Sequence, residues 1–378
     1  MTSKFSLSIL LFFVITLASA QFKNPKNLPF TWKTDTINSS VALSEIQIVL
    51  PKGSFPTLDS PKFVDKLEGM EMFFAKEPVI VVALNGEAKA YSLNILTMHE
   101  IANDLIGDLP ILVTYCPLCN SGIVYNRTVE HQGEKEILEF EASGMLRNSD
   151  MVMLDRKTET LWQQLTGTAI VGSYNKVELS IVPSVIISVE EFFARYPEGQ
   201  LLSKKTGFKK AEAQYGHNPY KKYDEKENPI PYFFDINNVS SRLPAMERIV
   251  DIEHLGKYKI YSFTSVAKNG VINDSFETKN VVLFFKAGTV SILDENDIST
   301  SKDVGSVTVF NAALDGEILN FKKENNEFVD TKTGSKWDIT GNCYAGELKG
   351  KQLQIEPHSN HFAFAWLAFN PDSEIYGE

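Results

Sequence analysis

Two cysteines, Cys116 and Cys119, are the residues whose type and spacing point most clearly to chemistry. They flank Pro117 and Leu118 in the stretch YCPLCN, and the chain has one further cysteine, Cys343. Two thiolates at this spacing can hold a metal ion, act as a redox pair or close into a short disulfide. Three cysteines are too few for a zinc site with four cysteine ligands, so other residue types must complete a metal site.

The residues around the cysteines favour a metal-binding turn. A thioredoxin-type redox pair lies at the start of a helix, but Cys119 is followed by Asn-Ser-Gly and a strand-like run. Pro117 stiffens the turn, and Asn120 can adopt the left-handed backbone that directs the following amide N–H groups towards sulfur. We therefore expect Cys116 and Cys119 to bind a thiophilic ion, copper or zinc.

Further ligands are expected from three places. His99 lies on a predicted helix that leads into the strand ending at Cys116, and an antiparallel return would bring it to the level of the thiols. Met145 offers a thioether, which joins thiolates and imidazole when the ion is monovalent copper. His358 and His361, near the C-terminus, are the contribution that the second half of the chain could make.

Three polar residues close to His99 in the sequence are candidates for an outer shell. Glu100, Asn103 and Asp104 could orient the imidazole by hydrogen bonding. The alternative is that they only solvate the helix surface.

Two other functions remain open for the same cysteines. A thiol–disulfide oxidoreductase would use Cys116 and Cys119 as its redox couple. A non-catalytic binding module would join them in a structural disulfide and stack aromatic side chains on a glycan or peptide, with the candidates Trp162, Tyr215, Tyr220 and Tyr223. The sequence has no Ser/His/Asp order, phosphate-binding glycine loop or nucleotide fingerprint, so whether the protein is an enzyme stays open.

An internal repeat sets the scaffold for these residues. A shift of about 170 residues brings separated features into register without breaking their order. The matches are Tyr91 with Tyr261, 103–104 with 273–274, 136–140 with 317–321, 155–162 with 330–337, and Pro183 with Pro357. The ordered matches predict two copies of one unit.

Each copy is predicted to be β-rich. In the first copy, strands at 79–84 and 88–93 precede a helix that Asn94 caps and Gly107 ends, and further strands follow at 110–115, 122–128, 137–142, 151–154 and 161–165. A helix at 189–196 ends the copy. We expect a β-rich α+β fold of two pseudo-twofold related copies, each a mostly antiparallel β unit with one or two helices.

Function is expected where the copies differ. Under the same shift, Cys116, Cys119 and His99 meet Lys286, Thr289 and Asn269. The segment 143–150 of the first copy has no counterpart at all. Because loops carried by a shared scaffold often hold sites, this segment adds the candidates Ser143, Gly144, Arg147 and Asp150.

The N-terminus and the composition bound the location and the partners. Lys4, an apolar run at 7–17 and Ala18-Ser19-Ala20 are typical of a cleaved export signal. No later stretch approaches the roughly 20 apolar residues of a membrane span, so we expect a periplasmic or secreted protein without a membrane span after signal cleavage. The net charge of −11 argues against nucleic acid binding and leaves an unidentified small molecule or protein as partner.

These features divide the chain into five segments. The predicted order is a signal peptide (1–20), an N-terminal lead-in (21–74), the first copy with the cysteine site (75–202), a connector (203–244) and the second copy (245–378).

Four motifs resemble a known family. They are His-Glu-x-x-Asn-Asp at 99–104, Tyr-Cys-Pro-Leu-Cys at 115–119, Ser-Gly-x-Leu at 143–146 and Asp-Arg-x-Thr-x-x-Leu-Trp-x-Gln at 155–164. Together they resemble a family of exported bacterial and archaeal proteins known as a domain of unknown function (number 3179), over about residues 60–373. The resemblance implies a shared domain and no particular activity.

Overall fold

Short strands make up much of the structure, and six short α-helices join them. The computed structural model describes residues 32–228 and 231–378, so the predicted signal peptide at 1–20 lies outside the described residues. The α-helices of this part are α1 (Lys66–Met72), α2 (Leu93–His99), α3 (Val189–Arg195), α4 (Lys209–Glu212), α5 (Phe263–Asn269) and α6 (Ala363–Phe369). In the described residues no helix has the length and apolar character needed to cross a membrane.

The strands are named in chain order. They are β1 (Gln47–Ile48), β2 (Leu58–Asp59), β3 (Phe63–Val64), β4 (Pro78–Leu84), β5 (Glu87–Ser92), β6 (Ile101–Ile106), β7 (Leu109–Cys116), β8 (Ser121–Asn126), β9 (Thr128–His131), β10 (Glu134–Ile137), β11 (Phe140–Arg147), β12 (Asp150–Asp155), β13 (Leu161–Gln163), β14 (Ala169–Val171), β15 (Ser180–Ile181), β16 (Val185–Ser188), β17 (Gln200–Leu202), β18 (Arg248–His254), β19 (Lys257–Ser262), β20 (Val271–Phe276), β21 (Lys279–Lys286), β22 (Ser306–Asn311), β23 (Ala313–Leu314), β24 (Glu317–Ile318), β25 (Phe321–Glu324), β26 (Glu327–Asp330), β27 (Lys336–Trp337), β28 (Cys343–Ala345), β29 (Asn360–Phe362) and β30 (Glu374–Ile375).

Most of the strands pair antiparallel, which confirms the predicted β-rich class. A nine-stranded sheet has the order β2-β6-β7-β8-β29-β18-β19-β30, with β15 also paired to β8. Two five-stranded sheets have the orders β1-β11-β12-β13-β14 and β16-β4-β5-β17-β3. The strands β20-β21-β22 and β25-β26-β27-β28 form smaller sheets, and β9-β10 and β23-β24 are hairpins.

The nine-stranded sheet joins the two predicted copies. Its strand β29, from the second copy, pairs with β8 of the first copy at Asn360 and Gly122. The largest hydrophobic cluster also contains residues of both copies, among them Tyr125, Ile249 and Phe284. Residues near the C-terminus are thereby placed beside the strand that follows the cysteine turn.

Local sequence explains the first hairpin of the scaffold. The strand β4 is PVIVVAL, rich in β-branched residues and mostly buried. Its turn to β5 is Asn85-Gly86, and both residues have positive φ (52° and 87°), as a tight two-residue hairpin turn requires.

The predicted helix between Asn94 and Gly107 is wrong in its second half. Helix α2 begins two residues earlier than expected, where the Ser92 side chain accepts from Ile95 N, and it ends at His99. The chain then reverses into β6, which pairs with β7 along its whole length. Strand pairing and burial here override a sequence pattern that is compatible with a helix.

Matched residues of the two copies make matching hydrogen bonds. Asn103 donates to Phe140 O and accepts from Phe140 N at 2.9 and 3.0 Å, and Asn273 bridges Phe321 in the same way at 2.8 and 2.7 Å. The other matched contacts are Tyr91 to Asp104 with Tyr261 to Asp274, and Trp162 to Asp155 with Trp337 to Asp330. Both tryptophans are buried in the core. These contacts agree with a repeated scaffold, and the pseudo-twofold relation stays a prediction.

The repeated asparagine bridge gives a stability test. We expect Asn103→Ala to lower the free energy of unfolding by about 2 kcal/mol, because it leaves two backbone groups of Phe140 unpaired in a buried place. Asn273→Ala should lower it by less, since Asn273 is exposed. Urea denaturation measures both, with the exposed Asn237→Ala as control. Full stability of Asn103→Ala would contradict the bridge.

Candidate metal centre

A tight turn brings the two cysteines together. Strand β7 ends at Cys116, and Pro117–Cys119 forms one turn of 3-10 helix. Asn120 closes the turn in the left-handed conformation (φ 50°, ψ 35°) and donates from its N–H to Pro117 O at 3.2 Å. The predicted conformation of Asn120 and the absence of an α-helix after Cys119 are both confirmed.

Asp150 completes a buried cluster with the cysteines. The ligand atoms of Cys116, Cys119 and Asp150 all lie within 4.8 Å of one another, and all three residues are buried. Asp150 starts β12, directly after the hairpin tip Asn148-Ser149, where both residues have positive φ. This hairpin reaches from the five-stranded sheet to the cysteine turn, and Ser149 O accepts from Cys116 Sγ at 3.9 Å.

Hydrogen bonds fix one oxygen of Asp150 and leave the other without a protein partner. Asp150 Oδ2 accepts from Gln163 Nε2 at 2.5 Å and from Leu165 N at 2.9 Å. Among the described residues, nothing donates to Asp150 Oδ1, which is buried. Because buried polar atoms almost always have partners, an unpartnered carboxylate oxygen beside two thiols is compatible with a metal ion at this place.

Burial controls the protonation of the cluster. It raises the pKa of Cys116 and, more strongly, that of Cys119, and the charge of Asp150 raises both further. Burial also raises the pKa of Asp150 to about 6, against the hydrogen bonds from Leu165 and Gln163 and the charge of His361. The thiols are therefore protonated at neutral pH unless a cation joins them, and protonated thiols are poor nucleophiles.

Glu100 is a second buried carboxylic acid, next to this cluster of two thiols and Asp150. Its carbonyl accepts from Tyr115 N at 2.8 Å, which places it beside the end of β7. Burial and the charge of Asp150 raise the pKa of Glu100 to about 8. Its backbone is also strained, with φ 60° and ψ −33°, a conformation that side chains other than glycine rarely adopt.

The second copy has glycine at the matching position. Gly270 ends helix α5 with φ 73° and ψ −36°, as Glu100 ends α2. The same backbone geometry is thus made by glycine in one copy and by a strained glutamate in the other. Strain of this kind, which costs about 1–3 kcal/mol, is concentrated at functional sites.

His99 lies near the turn but not with the cluster. Its Nδ1 is 2.5 Å from Pro56 O and its Nε2 is 2.6 Å from Tyr215 OH, so both ring nitrogens have other partners. Burial lowers its pKa. The structure therefore brings Asp150 to the cysteines in the place where the sequence suggested His99.

Asn103 and Asp104 do not orient His99. They lie on β6, where Asn103 bridges Phe140 and Asp104 accepts from Lys89 and Tyr91. Because the second copy repeats these contacts, we assign both residues to the scaffold. The ring of His99 instead contacts Pro56 O and Tyr215 OH.

Met145 and its neighbours also have structural roles. Met145 packs in a separate hydrophobic cluster with Ile46 and Val171, apart from the cluster that contains the cysteines. Ser143 and Gly144 form a bulge in β11, where Ser143 Oγ accepts from Met145 N. Arg147 forms a salt bridge with Glu45 at 2.7 Å. The segment 143–150 is thus an extended hairpin rather than an open loop, and Asp150 is its member that reaches the thiols.

The two C-terminal histidines are buried near the place where β29 pairs with β8. His361 Nε2 lies 3.2 Å from Asp251 Oδ1, while its Nδ1 has no partner among the described residues. His358 Nδ1 donates to Glu356 O at 2.7 Å. Both lie in or next to β29, which pairs with β8.

The sequence signal for Glu100 and Asp150 was present but weak. Laying the copies together matches Glu100 with Gly270, and a non-glycine residue at a position that needs positive φ is a sign of function. Asp150 was one of several polar residues in an unmatched segment. Only the packing of its hairpin on the nine-stranded sheet distinguishes it from the others.

The backbone strain at Glu100 predicts that glycine at this position makes the metal-free protein more stable. We expect Glu100→Gly to raise the free energy of unfolding of metal-free protein by about 1 kcal/mol, since it removes backbone strain and a buried acid. Gly270→Ala, the matched control, should lower it by a similar amount because alanine must then adopt φ 73°. Thermal denaturation measures both, and a loss of stability in Glu100→Gly would contradict the assignment.

The raised pKa values predict a pH dependence with a definite sign. A carboxyl whose pKa is raised by folding stabilises the fold while protonated, and this contribution is lost as pH rises from 4.5 to about 8 for Glu100. Asp150 acts in the same direction, up to about 6. Metal-free protein should therefore lose stability over this range, and Glu100→Gln should lose less. If the stability of Glu100→Gln changes with pH in the same way as that of the exposed control Glu130→Gln, this prediction is refuted.

Comparison with known proteins gives a family and no chemistry. No curated protein and no solved structure matches the chain significantly. One family model, described as a protein of unknown function (DUF3179), matches residues 52–373 and so covers most of the chain, including the whole cluster. This confirms the resemblance seen in the four motifs. The chain belongs to the DUF3179 family of proteins of unknown function.

Proposed function

We propose that the protein binds a thiophilic divalent ion through Cys116 Sγ, Cys119 Sγ and Asp150 Oδ1, and that this ion is zinc in preference to copper. The observation that carries the proposal is the buried cluster of these three atoms within 4.8 Å, together with the missing partner of Asp150 Oδ1. His99, suggested by the sequence as a ligand, is replaced by Asp150 in the proposal.

The size of the cluster suits an ion. Zinc takes thiolate sulfur at about 2.3 Å and carboxylate oxygen at about 2.0–2.2 Å, so ligand atoms around it are separated by somewhat under 4 Å. The cluster therefore needs only a small contraction. Since Gln163 and Leu165 hold Oδ2 of Asp150, Oδ1 is oriented before the ion arrives, as outer-shell contacts commonly do.

The ligand types favour zinc over monovalent copper. Monovalent copper prefers sulfur ligands, whereas zinc accepts thiolate and carboxylate together. The thioether of Met145, on which the copper hypothesis depended, belongs to a different hydrophobic cluster. Two thiolates and one carboxylate carry three negative charges, so a divalent ion leaves the smaller net charge in a buried place.

The competing functions have less support. A redox pair needs an accessible thiolate of low pKa, but both cysteines are buried and burial raises their pKa values. Of the aromatic residues considered for stacking on a ligand, Trp162 and Tyr223 are buried. Both cysteines are free thiols here, in keeping with a metal site.

The proposal includes an extracytoplasmic location. It is supported by the residues at 1–20, whose pattern is typical of an export signal. We also propose that the ion site belongs to the first of two pseudo-twofold related copies, with the second copy serving mainly as scaffold.

Metal analysis tests the proposal. Protein purified without chelator should hold roughly one zinc ion per chain, and the double variant Cys116→Ser, Cys119→Ser should hold almost none, because both thiolate ligands are lost. Asp150→Asn should weaken zinc binding by at least about 100-fold, because the loss of a direct ligand should cost no less than the 10–100-fold that outer-shell partners contribute. Elemental analysis and competition with a chromophoric chelator measure these quantities.

The third cysteine provides the control. Cys343 is also buried, but its Sγ faces Ala345 O at 3.4 Å, far along the chain from the cluster. Cys343→Ser should keep the full metal content. Equal zinc in the double variant and in wild type would sink the proposal.

A further inference from the structure

Four buried side-chain atoms near the cluster have no hydrogen-bond partner among the described residues. They are Ser121 Oγ, Asp150 Oδ1, Gln164 Oε1 and His361 Nδ1. All four residues are at most 1% exposed. Unpartnered buried polar atoms are rare in folded proteins and call for an explanation, such as a bound ion or small molecule.

Strand register brings two of these residues, Ser121 and His361, into one row with Cys116. Cys116 of β7 is paired with Ser121 of β8, and Gly122 is paired with Asn360 of β29. In an antiparallel ladder the next position opposite Ser121 is His361. Cys116, Ser121 and His361 therefore form a row on one face of the sheet, with Cys116 and His361 about 10 Å apart across two strand spacings.

Gln164 lies over this row. Its Nε2 donates to Thr114 Oγ1 at 2.8 Å and to Ser121 O at 3.3 Å, so its Oε1 remains as an acceptor. Asp150 is held from the same segment, through Gln163 and Leu165. The charge of His361 lowers the pKa of Asp150, which also indicates that the two side chains are close.

Two of the unpartnered atoms, His361 Nδ1 and Gln164 Oε1, can accept hydrogen bonds from a ligand. A carboxylate oxygen only accepts, so the contact with Asp251 Oδ1 requires that His361 Nε2 carries the proton. When the ring carries no second proton, Nδ1 presents a lone pair. His361 Nδ1 and Gln164 Oε1 together suit a ligand that donates hydrogen bonds and disfavour an anion without hydrogens.

We propose that a small protic molecule, water or one of similar size, occupies the fourth position of the ion and donates to Gln164 Oε1 and His361 Nδ1. This inference rests on the proposed metal site. Three protein ligands leave that position open, as in sites where zinc acts on a bound molecule. The second copy thus contributes a positioning residue to a site whose ligands all come from the first.

Cobalt substitution tests this with a spectroscopic readout. Metal-free full-length protein is loaded with Co²⁺, and azide, an anion without hydrogen-bond donors, is titrated while the visible d–d bands are recorded. We expect wild type to bind azide weakly. His361→Gln should bind one Co²⁺ with the same thiolate charge-transfer band but shift the d–d bands and bind azide about tenfold more tightly, because its amide can donate.

Two further variants make the test decisive. His358→Gln, the neighbouring buried histidine, should match wild type. Asp251→Asn should also raise azide affinity, since it removes the acceptor that fixes the tautomer of His361. This variant replaces His361→Gln in the test if His361→Gln does not fold.

Three results would overturn the inference. The first is that folded His361→Gln has the same d–d spectrum and azide affinity as wild type. If Asp251→Asn is the variant used, the same result in that variant counts. The second is loss of Co²⁺ from folded His361→Gln, which would make His361 itself a ligand. The third is a wild type that binds no Co²⁺, and this result alone would also defeat the proposed function.

Discussion

The burial of acidic groups in one corner without a salt-bridge partner is the constraint on which this structure depends. Cys116, Cys119, Asp150 and Glu100 lie together out of water, and in the described part of the chain no salt bridge includes Glu100 or Asp150. Burying charged groups without partners is costly. The fold can keep these groups only as neutral acids or around a cation, and the ion that we propose would supply that cation.

The comparison of the two copies separates this corner from the scaffold. Asn103 and Asn273 bridge strands in the same way, so the two copies share their supporting contacts. At the positions matched to the cysteines, the second copy has ordinary surface and core contacts instead. Lys286 pairs with Glu191, and Thr289 Oγ1 contacts Ser306 Oγ. The acids are therefore not part of the contacts that the two predicted copies share.

Sequence reasoning could predict what depends on local geometry. It placed the turn at Cys116 and Cys119 and the left-handed Asn120, since proline and asparagine have strong local preferences. The β-rich class followed from alternation and β-branched content. The helix expected up to Gly107 failed after His99 because the pairing of β6 with β7 is a long-range interaction.

The composition of the site depended on contacts that no local pattern contains. His99 has the right residue type and distance along the chain, but its ring is directed to Pro56 and Tyr215. Asp150 reaches the thiols because a hairpin of one sheet packs against the end of a strand in another. His361 arrives from more than half the chain away through β29. Sheet-on-sheet packing of this kind is set by the whole fold and is not visible in the spacing of residues.

X-ray absorption at the zinc edge measures the coordination of the proposed ion most directly. On protein purified without added chelator, we expect two sulfur neighbours at about 2.3 Å and two lighter neighbours, oxygen or nitrogen, at about 2.0 Å. A spectrum without sulfur neighbours, or protein that takes up no zinc when it is offered, would contradict this expectation.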